Sequence, residues 1–193
     1  PPTKTIVYPL QMEPESNLDV WARRFNNQAK NIEKLIDNLD KDITILVKPN
    51  PKSRYEINNE LIEMINSNRN VVAVHPNISM EILFKKFKFF FSPSGTIGIE
   101  SLLASRICFS PCLEVTKVFA KKFYCFPTQL KGESISEQNK ISILDYLVYT
   151  SFEGIIGDEV HSELAMTKKN LSAVCDAFLK IIELNKTHII KDS

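Results

Sequence analysis

The spacing of hydrophobic and polar positions changes several times along the first half of the chain, and each change predicts a new element. Residues 5–8 form a short β-rich run that ends at Pro9, which is typical of a strand. Residues 18–39 then carry apolar side chains on one helical face, and the spacing of Ser16 and Asp19 predicts the cap of that helix. Residues 43–47 are almost continuously apolar and β-branched, which predicts a strand covered on both faces.

The same alternation continues as far as residue 109. Ser53 and Glu56 predict the cap of a second helix, and Ser79 predicts the start of a third. Another helix is predicted to begin after the Ser-Pro-Ser-Gly turn at residues 92–95. Short apolar runs predict three further strands, at residues 71–74, 89–91 and 107–109. Because strands and helices alternate at this pitch, we predict an α/β, Rossmann-like fold with a doubly wound parallel sheet.

The pattern is weaker in the second half of the chain. Residues 124–126 predict a last short strand, and apolar periodicities predict helices around residues 141–148 and 171–182. We therefore expect one Rossmann-like nucleotide-sugar-binding domain over residues 1–193, with a core over residues 3–130 and a helical extension over residues 134–185. The chain begins with Pro1 rather than Met, so we expect it to be trimmed or to be the back half of a longer protein.

Charge and composition exclude several classes of protein. The 193 residues include 24 Lys and Arg against 23 Asp and Glu, so the net charge is +1. Proteins that bind nucleic acid or membranes electrostatically normally carry a basic excess, and we therefore expect no nucleic-acid partner. Hydrophobic residues make up 44% of the chain, which is enough to bury a core, but no apolar run is long enough to span a membrane. We expect any membrane association to be peripheral and to act through partners.

The four cysteines predict a reducing environment. Cys108, Cys112, Cys125 and Cys175 match no paired zinc-ligand spacing, and no secretion signal opens the chain. Reduced and mostly buried thiols are therefore expected rather than two disulfides, and the cytoplasm is the expected compartment. No carboxylate pair has a spacing suited to a tightly held metal, although a loosely bound Mg²⁺ brought by a ligand stays open.

The segment with the clearest chemistry follows the fourth predicted strand. Two of the five glycines of the chain, Gly95 and Gly98, lie here at a predicted helix start. The N–H groups of a helix start attract phosphate, and Ser94 or Thr96 can add a hydroxyl donor. Glu100 lies one turn further on, where its carboxylate can accept hydrogen bonds from a ribose diol. The alternative is a simple helix start, since the segment matches neither a P-loop nor a dinucleotide fingerprint.

Two other polar loops follow predicted strands and are expected at the same edge of the sheet. Lys48 and Asn50 follow the second strand, where the ammonium of Lys48 can pair with a phosphate or can simply be exposed in a proline-rich turn. Gln11, Glu13 and Glu15 follow the first strand. The two carboxylates there are candidates for acid–base work or are ordinary loop residues.

These motifs together resemble a known family. In order along the chain they are Tyr8-Pro9-Leu10-Gln11 with Glu13-Pro14-Glu15, then Gln28, then Leu46-Val47-Lys48-Pro49-Asn50-Pro51, then the run from Ser94-Gly95-Thr96 to Leu103. The series resembles the bacterial capsular polysaccharide biosynthesis family, which includes Kdo transferase-like glycosyltransferases of the GT-B type. The resemblance covers roughly residues 5–112 well and the remainder only loosely.

The resemblance implies that this chain is the C-terminal, donor-binding half of such an enzyme. It implies that Ser94, Gly95 and Thr96 contact the phosphate of a CMP- or UDP-linked sugar donor, that Glu100 contacts its sugar or ribose, and that the turn from Lys48 lies beside the nucleotide. The family usually has Lys-x-His-Pro in that turn, but Asn50 stands in the place of the His. An Asn side chain can hydrogen-bond but cannot carry a proton at neutral pH.

The expected function is therefore transfer of a sugar from a nucleotide-sugar to a growing capsular polysaccharide. The acceptor would be a glycan or glycolipid, and an N-terminal domain outside this chain would supply the catalytic base. A nucleotide-sugar epimerase of related fold is one alternative. A non-catalytic module that binds a nucleotide or a partner, with Asn50 marking lost activity, is the other.

Overall fold

Five short strands form one sheet in which every neighbouring pair runs parallel. In a computed structural model of the protein, residues 4–13, 19, 22–52, 57–111, 126–131, 136–150 and 166–189 are described. The strands are β1 (Thr5–Pro9), β2 (Thr44–Lys48), β3 (Val71–Ala73), β4 (Phe89–Phe91) and β5 (Ile107–Phe109). The predicted α/β, doubly wound parallel sheet is confirmed, and all five strands lie within one residue of their predicted bounds.

The order of the strands creates a crevice beside β1. Across the sheet the order is β3-β2-β1-β4-β5, so the chain moves outward from β1 to β3 and then returns to the other side of β1. Right-handed crossovers place the helices of these two halves on opposite faces of the sheet. The loops after β1 and β4 therefore diverge, and a crevice opens between the carboxyl ends of these two strands.

The core is centred on β1 and its two neighbours, β2 and β4. Ile6, Val7 and Tyr8 of β1 and Phe90 and Phe91 of β4 are completely buried. Residues that alternate along β1 and β4 face opposite sides of the sheet, and both sides are covered by helices, which explains why these strands are apolar at every position. A rigid central pair of strands fixes the positions from which the two diverging loops leave.

Six helices accompany the sheet in the described part of the chain. They are α1 (Gln28–Asn38), α2 (Asn59–Ser67), α3 (Met80–Lys86), α4 (Thr96–Leu103), α5 (Glu137–Thr150) and α6 (Lys168–Ile189). The cap of α3 at Ser79 is confirmed, because its hydroxyl accepts a hydrogen bond from the N–H of Ile82. The helices expected around residues 141–148 and 171–182 are also present, as α5 and α6.

Two helices begin later in the structure than the sequence predicts. The helix expected over residues 18–39 begins only at Gln28, after a 3-10 turn at Arg23–Phe25, because the Asn27 side chain accepts from the N–H of Lys30 and caps α1. The second helix likewise begins after Asn58, whose side chain accepts from the N–H of Leu61. Ser16, residues 53–56 and the strand predicted at residues 124–125 lie outside the described residues; the described Phe126 belongs to no strand.

The carboxyl end of α4 shows a complete Schellman motif. The N–H of Ser105 donates to the carbonyl of Leu102, the N–H of Arg106 donates to that of Ser101, and Ser105 has a φ of 55°. This left-handed position is normally glycine because a β-carbon costs about 1 kcal/mol there. We expect Ser105→Gly to raise the free energy of unfolding by about 1 kcal/mol in urea titrations. An unchanged or lower stability would mean that the serine side chain has a stabilising partner.

The chain divides into two compact units, Pro1–Ile141 and Ser142–Ser193. The first contains the whole sheet, α1 to α4 and the first turn of α5, and the second contains the rest of α5 and α6. No described helix combines the length and the apolar composition needed to cross a membrane.

Of the cysteines, Cys108 is free and buried, which raises the pKa of its thiol to about 12, and Cys175 is free but exposed. Cys112 and Cys125 lie outside the described residues.

Candidate functional site

A cleft of about 610 Å³ lies at the carboxyl edge of the sheet. The loops that follow β1, β2, β3 and β4 all contribute to its walls, and its volume is in the range of small-molecule sites. It is lined by Pro9, Leu10, Gln11, Met12, Lys48, Asn50, Pro51, Pro76, Asn77, Ile78, Ser79, Met80, Ser94, Gly95, Thr96 and Ile97. The cleft therefore occupies the crevice that the strand order creates.

The structure brings six of the seven candidate residues together around this cleft. Gln11, Lys48, Asn50, Ser94, Gly95 and Thr96 all line it, although they come from three separate loops. Glu100 is not among the lining residues and lies exposed on α4. Glu15 is outside the described residues, and Glu13 accepts a hydrogen bond of 2.7 Å from the side chain of Gln28. The ligand-binding roles of these residues stay predictions.

The loop after β1 is held in place by one buried side chain of α1. The Oε1 atom of Gln28 accepts from the N–H of Gln11 at 2.8 Å, and its Nε2 atom donates to the carbonyl of Gln11 at 2.9 Å. Gln28 is buried at the first turn of the helix. Its amide supplies Gln11 with the main-chain hydrogen bonds that a neighbouring strand would supply if β1 continued beyond Pro9. The main chain of Gln11 is thereby fixed on both sides at the mouth of the crevice.

A side-chain hydrogen bond joins the loop after β1 to the turn after β4. The Nε2 atom of Gln11 donates to the hydroxyl of Ser94 over 3.4 Å, a long and therefore weak bond. The Oε1 atom of the same amide is buried and has no hydrogen-bond partner, and it is the one such side-chain atom found among the described residues. Gln11 is 8% exposed, so solvent does not readily satisfy this oxygen.

Serine hydroxyls hold the turn after β4, which contains a glycine with a positive φ. The hydroxyl of Ser92 donates to the carbonyl of Ser94 at 2.6 Å, and that of Ser110 donates to the carbonyl of Pro93 at 3.1 Å. Gly95 has φ 89° and ψ −178°, a combination that is essentially restricted to glycine. This conformation turns the chain sharply from the buried strand into the first residue of α4.

The amino end of α4 opens into the cleft without a side-chain cap. Gly95 occupies the capping position and has no side chain, so it supplies no acceptor to the first N–H groups of the helix. Thr96 and Ile97, which carry two of those groups, line the cleft. Unpaired N–H groups and the positive end of the helix dipole favour an anion at this position.

Lys48 adds a positive charge on the opposite wall. The residue ends β2 and is buried, and its ammonium donates to the carbonyls of Pro49 and Pro76, each at 3.0 Å. Burial lowers the pKa of this lysine, because desolvation disfavours the charged form. A phosphate in the cleft would offset that penalty and would take the third N–H of the ammonium. Asn50 lies nearby, and its side chain accepts from the N–H of Lys52 at 3.0 Å.

The cleft is therefore arranged to stabilise negative charge. Its described lining includes a lysine and a helix amino end but no Asp, Glu or His. No group of three or more described His, Cys, Asp or Glu side chains is placed to hold a metal ion. The sequence pattern singled out six of the residues that line this cleft, but it did not single out Asn77 and did not reveal the supporting roles of Gln28, Ser92 and Ser110. Of these three, Gln28 carried a signal, as a member of the ordered motifs.

Comparison with known proteins gives only distant structural similarity. No protein-family model matches the chain, and no curated protein is significantly similar to it in sequence. Similar solved structures are a UDP-GlcNAc 2-epimerase of Methanocaldococcus jannaschii in complex with UDP-GlcNAc and UDP (15% identity, TM-score 0.41), a UDP-GlcNAc 2-epimerase of Neisseria meningitidis bound to UDP-GlcNAc (14%, 0.41) and S. aureus MnaA in a co-structure with UDP (15%, 0.37). The alignments cover 75%, 76% and 75% of this chain but 45%, 37% and 36% of those structures. The chain thus spans less than half the length of each, and the similarity does not assign it to a family.

Proposed function

We propose that this chain binds a nucleotide-sugar in the cleft at the carboxyl edge of its sheet. In this proposal it is the donor-binding domain of a cytoplasmic glycosyltransferase that adds sugar to a growing capsular polysaccharide. The donor is CMP- or UDP-linked, and the acceptor is a glycan or glycolipid held by a second domain that faces this one. No tightly bound cofactor is required by this chemistry.

The convergence of three loops on one cleft is the observation that supports the proposal. Gln11 follows β1, Lys48 ends β2, and the turn at Gly95 follows β4, yet all three line the same cleft of about 610 Å³. A cation and an uncapped helix start meet there at the point where the strand order reverses, which is where open α/β sheets bind their ligands. The nucleotide phosphate is the part of the proposed ligand that fits this pairing.

The same groups supply the proposed chemistry. Transfer of the sugar leaves negative charge on the departing nucleotide phosphate, and fixed N–H groups and a cation lower the energy of that charge. The amino end of α4, the hydroxyl of Thr96 and the ammonium of Lys48 are the groups available on this chain. The described lining has no Asp, Glu or His, so we assign the catalytic base to the facing domain.

Calorimetric titration of the purified chain with CMP, UDP and their sugar conjugates tests the proposal. We expect Lys48→Met to weaken nucleotide binding by about 10- to 100-fold, since hydrogen bonds to charged groups contribute about 1.5–3 kcal/mol. Lys52→Met removes the same charge from an exposed position outside the cleft, and we expect it to leave the affinity within about twofold. Melting temperatures of both variants show whether the fold persists.

The outcomes separate the proposed function from its alternatives. Absence of binding by any nucleotide would overturn the donor-site proposal. Equal affinities in the parent chain and Lys48→Met would show that this lysine has only a structural role, through its hydrogen bonds to the carbonyls of Pro49 and Pro76. A UDP-sugar converted without any acceptor would identify the epimerase alternative. Binding without transfer, even when the chain is combined with the proposed facing domain and an acceptor, would identify the non-catalytic module that Asn50 in place of a histidine suggests.

A further inference from the structure

The main chain of Gln11 is fully hydrogen-bonded, whereas its side-chain amide is not. Its main chain is fixed by two short hydrogen bonds from Gln28, at 2.8 and 2.9 Å. Its amide, by contrast, makes one long bond to Ser94 and leaves Oε1 buried without a partner. A buried amide oxygen without a donor costs free energy, and in folded proteins such atoms are uncommon outside functional positions.

The residue that carries this unpaired oxygen lines the cleft. Gln11 lines the cleft together with Ser94, Gly95 and Lys48. The last torsion of a glutamine side chain is broad, and the bond that restrains it is 3.4 Å long, so rotation of the amide toward a ligand costs little. Turning the amide over does not remove the problem, because its N–H₂ group then loses its acceptor instead.

We infer that Gln11 is a specificity-determining residue that accepts a hydrogen bond from a hydroxyl or amide N–H group carried by the ligand next to its phosphate. This inference rests on the proposed function and names the polarity of one subsite within it. A carbonyl oxygen can accept but cannot donate, so it does not favour a phosphate oxygen. The nearby helix start and Lys48 select the anion, and Gln11 selects what the anion is attached to.

Two parts of a nucleotide-sugar carry hydrogen-bond donors near the phosphate, and either could donate to Gln11. Ribose hydroxyls lie on one side of it, and the hydroxyl or acetamido groups of the sugar lie on the other. Inorganic phosphate and pyrophosphate carry no such neighbouring group. Titrations with inorganic pyrophosphate, with CMP and UDP, and with the matching nucleotide-sugars therefore separate recognition of the anion from recognition of ribose and of sugar.

The test uses Gln11→Met, which keeps the length of the side chain and removes the acceptor. We expect the ratio of nucleotide-sugar affinity to pyrophosphate affinity to fall by about 3- to 10-fold, because one neutral hydrogen bond is lost from only one ligand. A fall that already appears with CMP or UDP assigns the ribose, and a fall confined to the sugar conjugates assigns the sugar. The melting temperature is expected to stay equal or to rise, because the variant no longer buries an unpaired oxygen.

Two further variants keep the inference testable. Gln11→Glu retains an acceptor, and although its charge weakens every anionic ligand, we expect the ratio to stay near that of the parent chain. Gln138→Met makes the same exchange at an exposed position of α5 outside the cleft, and we expect it to leave the ratio of affinities unchanged.

An unchanged ratio in Gln11→Met, or a lower melting temperature with unchanged affinities, would show a purely structural role and overturn the inference while the proposed function stands. If pyrophosphate, nucleotides and nucleotide-sugars all fail to bind the parent chain, both the proposed function and this inference are overturned.

Discussion

Replacing Gln28 with leucine is expected to lower the free energy of unfolding by about 3–5 kcal/mol. The substitution keeps a similar volume but removes the amide that pairs with both the N–H and the carbonyl of Gln11. These two main-chain groups then remain buried without partners, and each such group costs about 1–3 kcal/mol. Domains of this size are stable by roughly 5–15 kcal/mol, so the loss is a large part of the total. Urea denaturation followed by circular dichroism measures it.

The same substitution is expected to weaken nucleotide binding in whatever fraction of the chain remains folded. Gln11 keeps its place in the cleft through Gln28, so release of this loop moves one wall of the site. Gln28→Glu is the informative companion, because it keeps the acceptor for the N–H of Gln11 and loses the donor to its carbonyl. At neutral pH we expect Gln28→Glu to lose at least as much stability as Gln28→Leu, because its buried carboxylate would face the carbonyl of Gln11 and the carboxylate of Glu13. Equal stabilities for Gln28→Leu and the parent chain would show that water replaces the amide.

The strands could be predicted from the sequence because their burial leaves a direct trace in composition. In a parallel sheet covered by helices on both faces, neither face tolerates polar side chains, and β1, β2 and β4 are accordingly almost continuously apolar. Once the strands alternate with helices, the right-handed crossover rule leaves few possible orders. The edge of the sheet that carries the polar loops follows from that, since all carboxyl ends of parallel strands meet at one edge.

The starts of two helices could not be predicted because several residues compete to cap them. Ser16 with Asp19 and Ser53 with Glu56 have the spacing of a capping box. The caps in the structure are Asn27 and Asn58, and both helices begin where a side-chain oxygen reaches the N–H three residues later. A capping pattern in a sequence indicates an available cap and does not determine which one is used, because packing of the helix against the sheet decides that.

The supporting contacts of the cleft were also beyond sequence analysis. Gln28 lies 17 positions after Gln11, and a bond from a side chain to a distant main chain leaves no periodic signal. The carbonyl of Pro76 accepts a hydrogen bond from the ammonium of Lys48. Every residue has a main-chain carbonyl, so nothing in the sequence marks this one. Glu100 shows the reverse case: its position one turn into the helix suggested a ligand contact, yet it lies exposed and is not among the residues that line the cleft.

Gly95→Ala is expected to reduce stability by about 3 kcal/mol and nucleotide affinity by about 100-fold. With φ 89° and ψ −178°, Gly95 adopts a conformation that a β-carbon makes strongly unfavourable, and strain of this kind costs about 1–3 kcal/mol per residue. Relief of the strain requires rotation of the turn, which redirects the first N–H groups of α4 away from the cleft. Because these N–H groups form the proposed phosphate contact, stability and affinity should fall together.

The second positive-φ residue of the described chain provides the matched control for this prediction. Ser105 lies at the other end of the same helix with φ 55°, outside the cleft lining. Exchange of glycine and a β-carbon should therefore have opposite effects at the two ends: Gly95→Ala destabilises, and Ser105→Gly stabilises by about 1 kcal/mol without any change in affinity. Denaturation of both variants measures the effect of the backbone conformation on stability, and calorimetry measures the effect on nucleotide affinity. A Gly95→Ala chain that loses stability but binds nucleotide as tightly as its parent would place the phosphate away from the start of α4, and the anion site would then have to depend on Lys48.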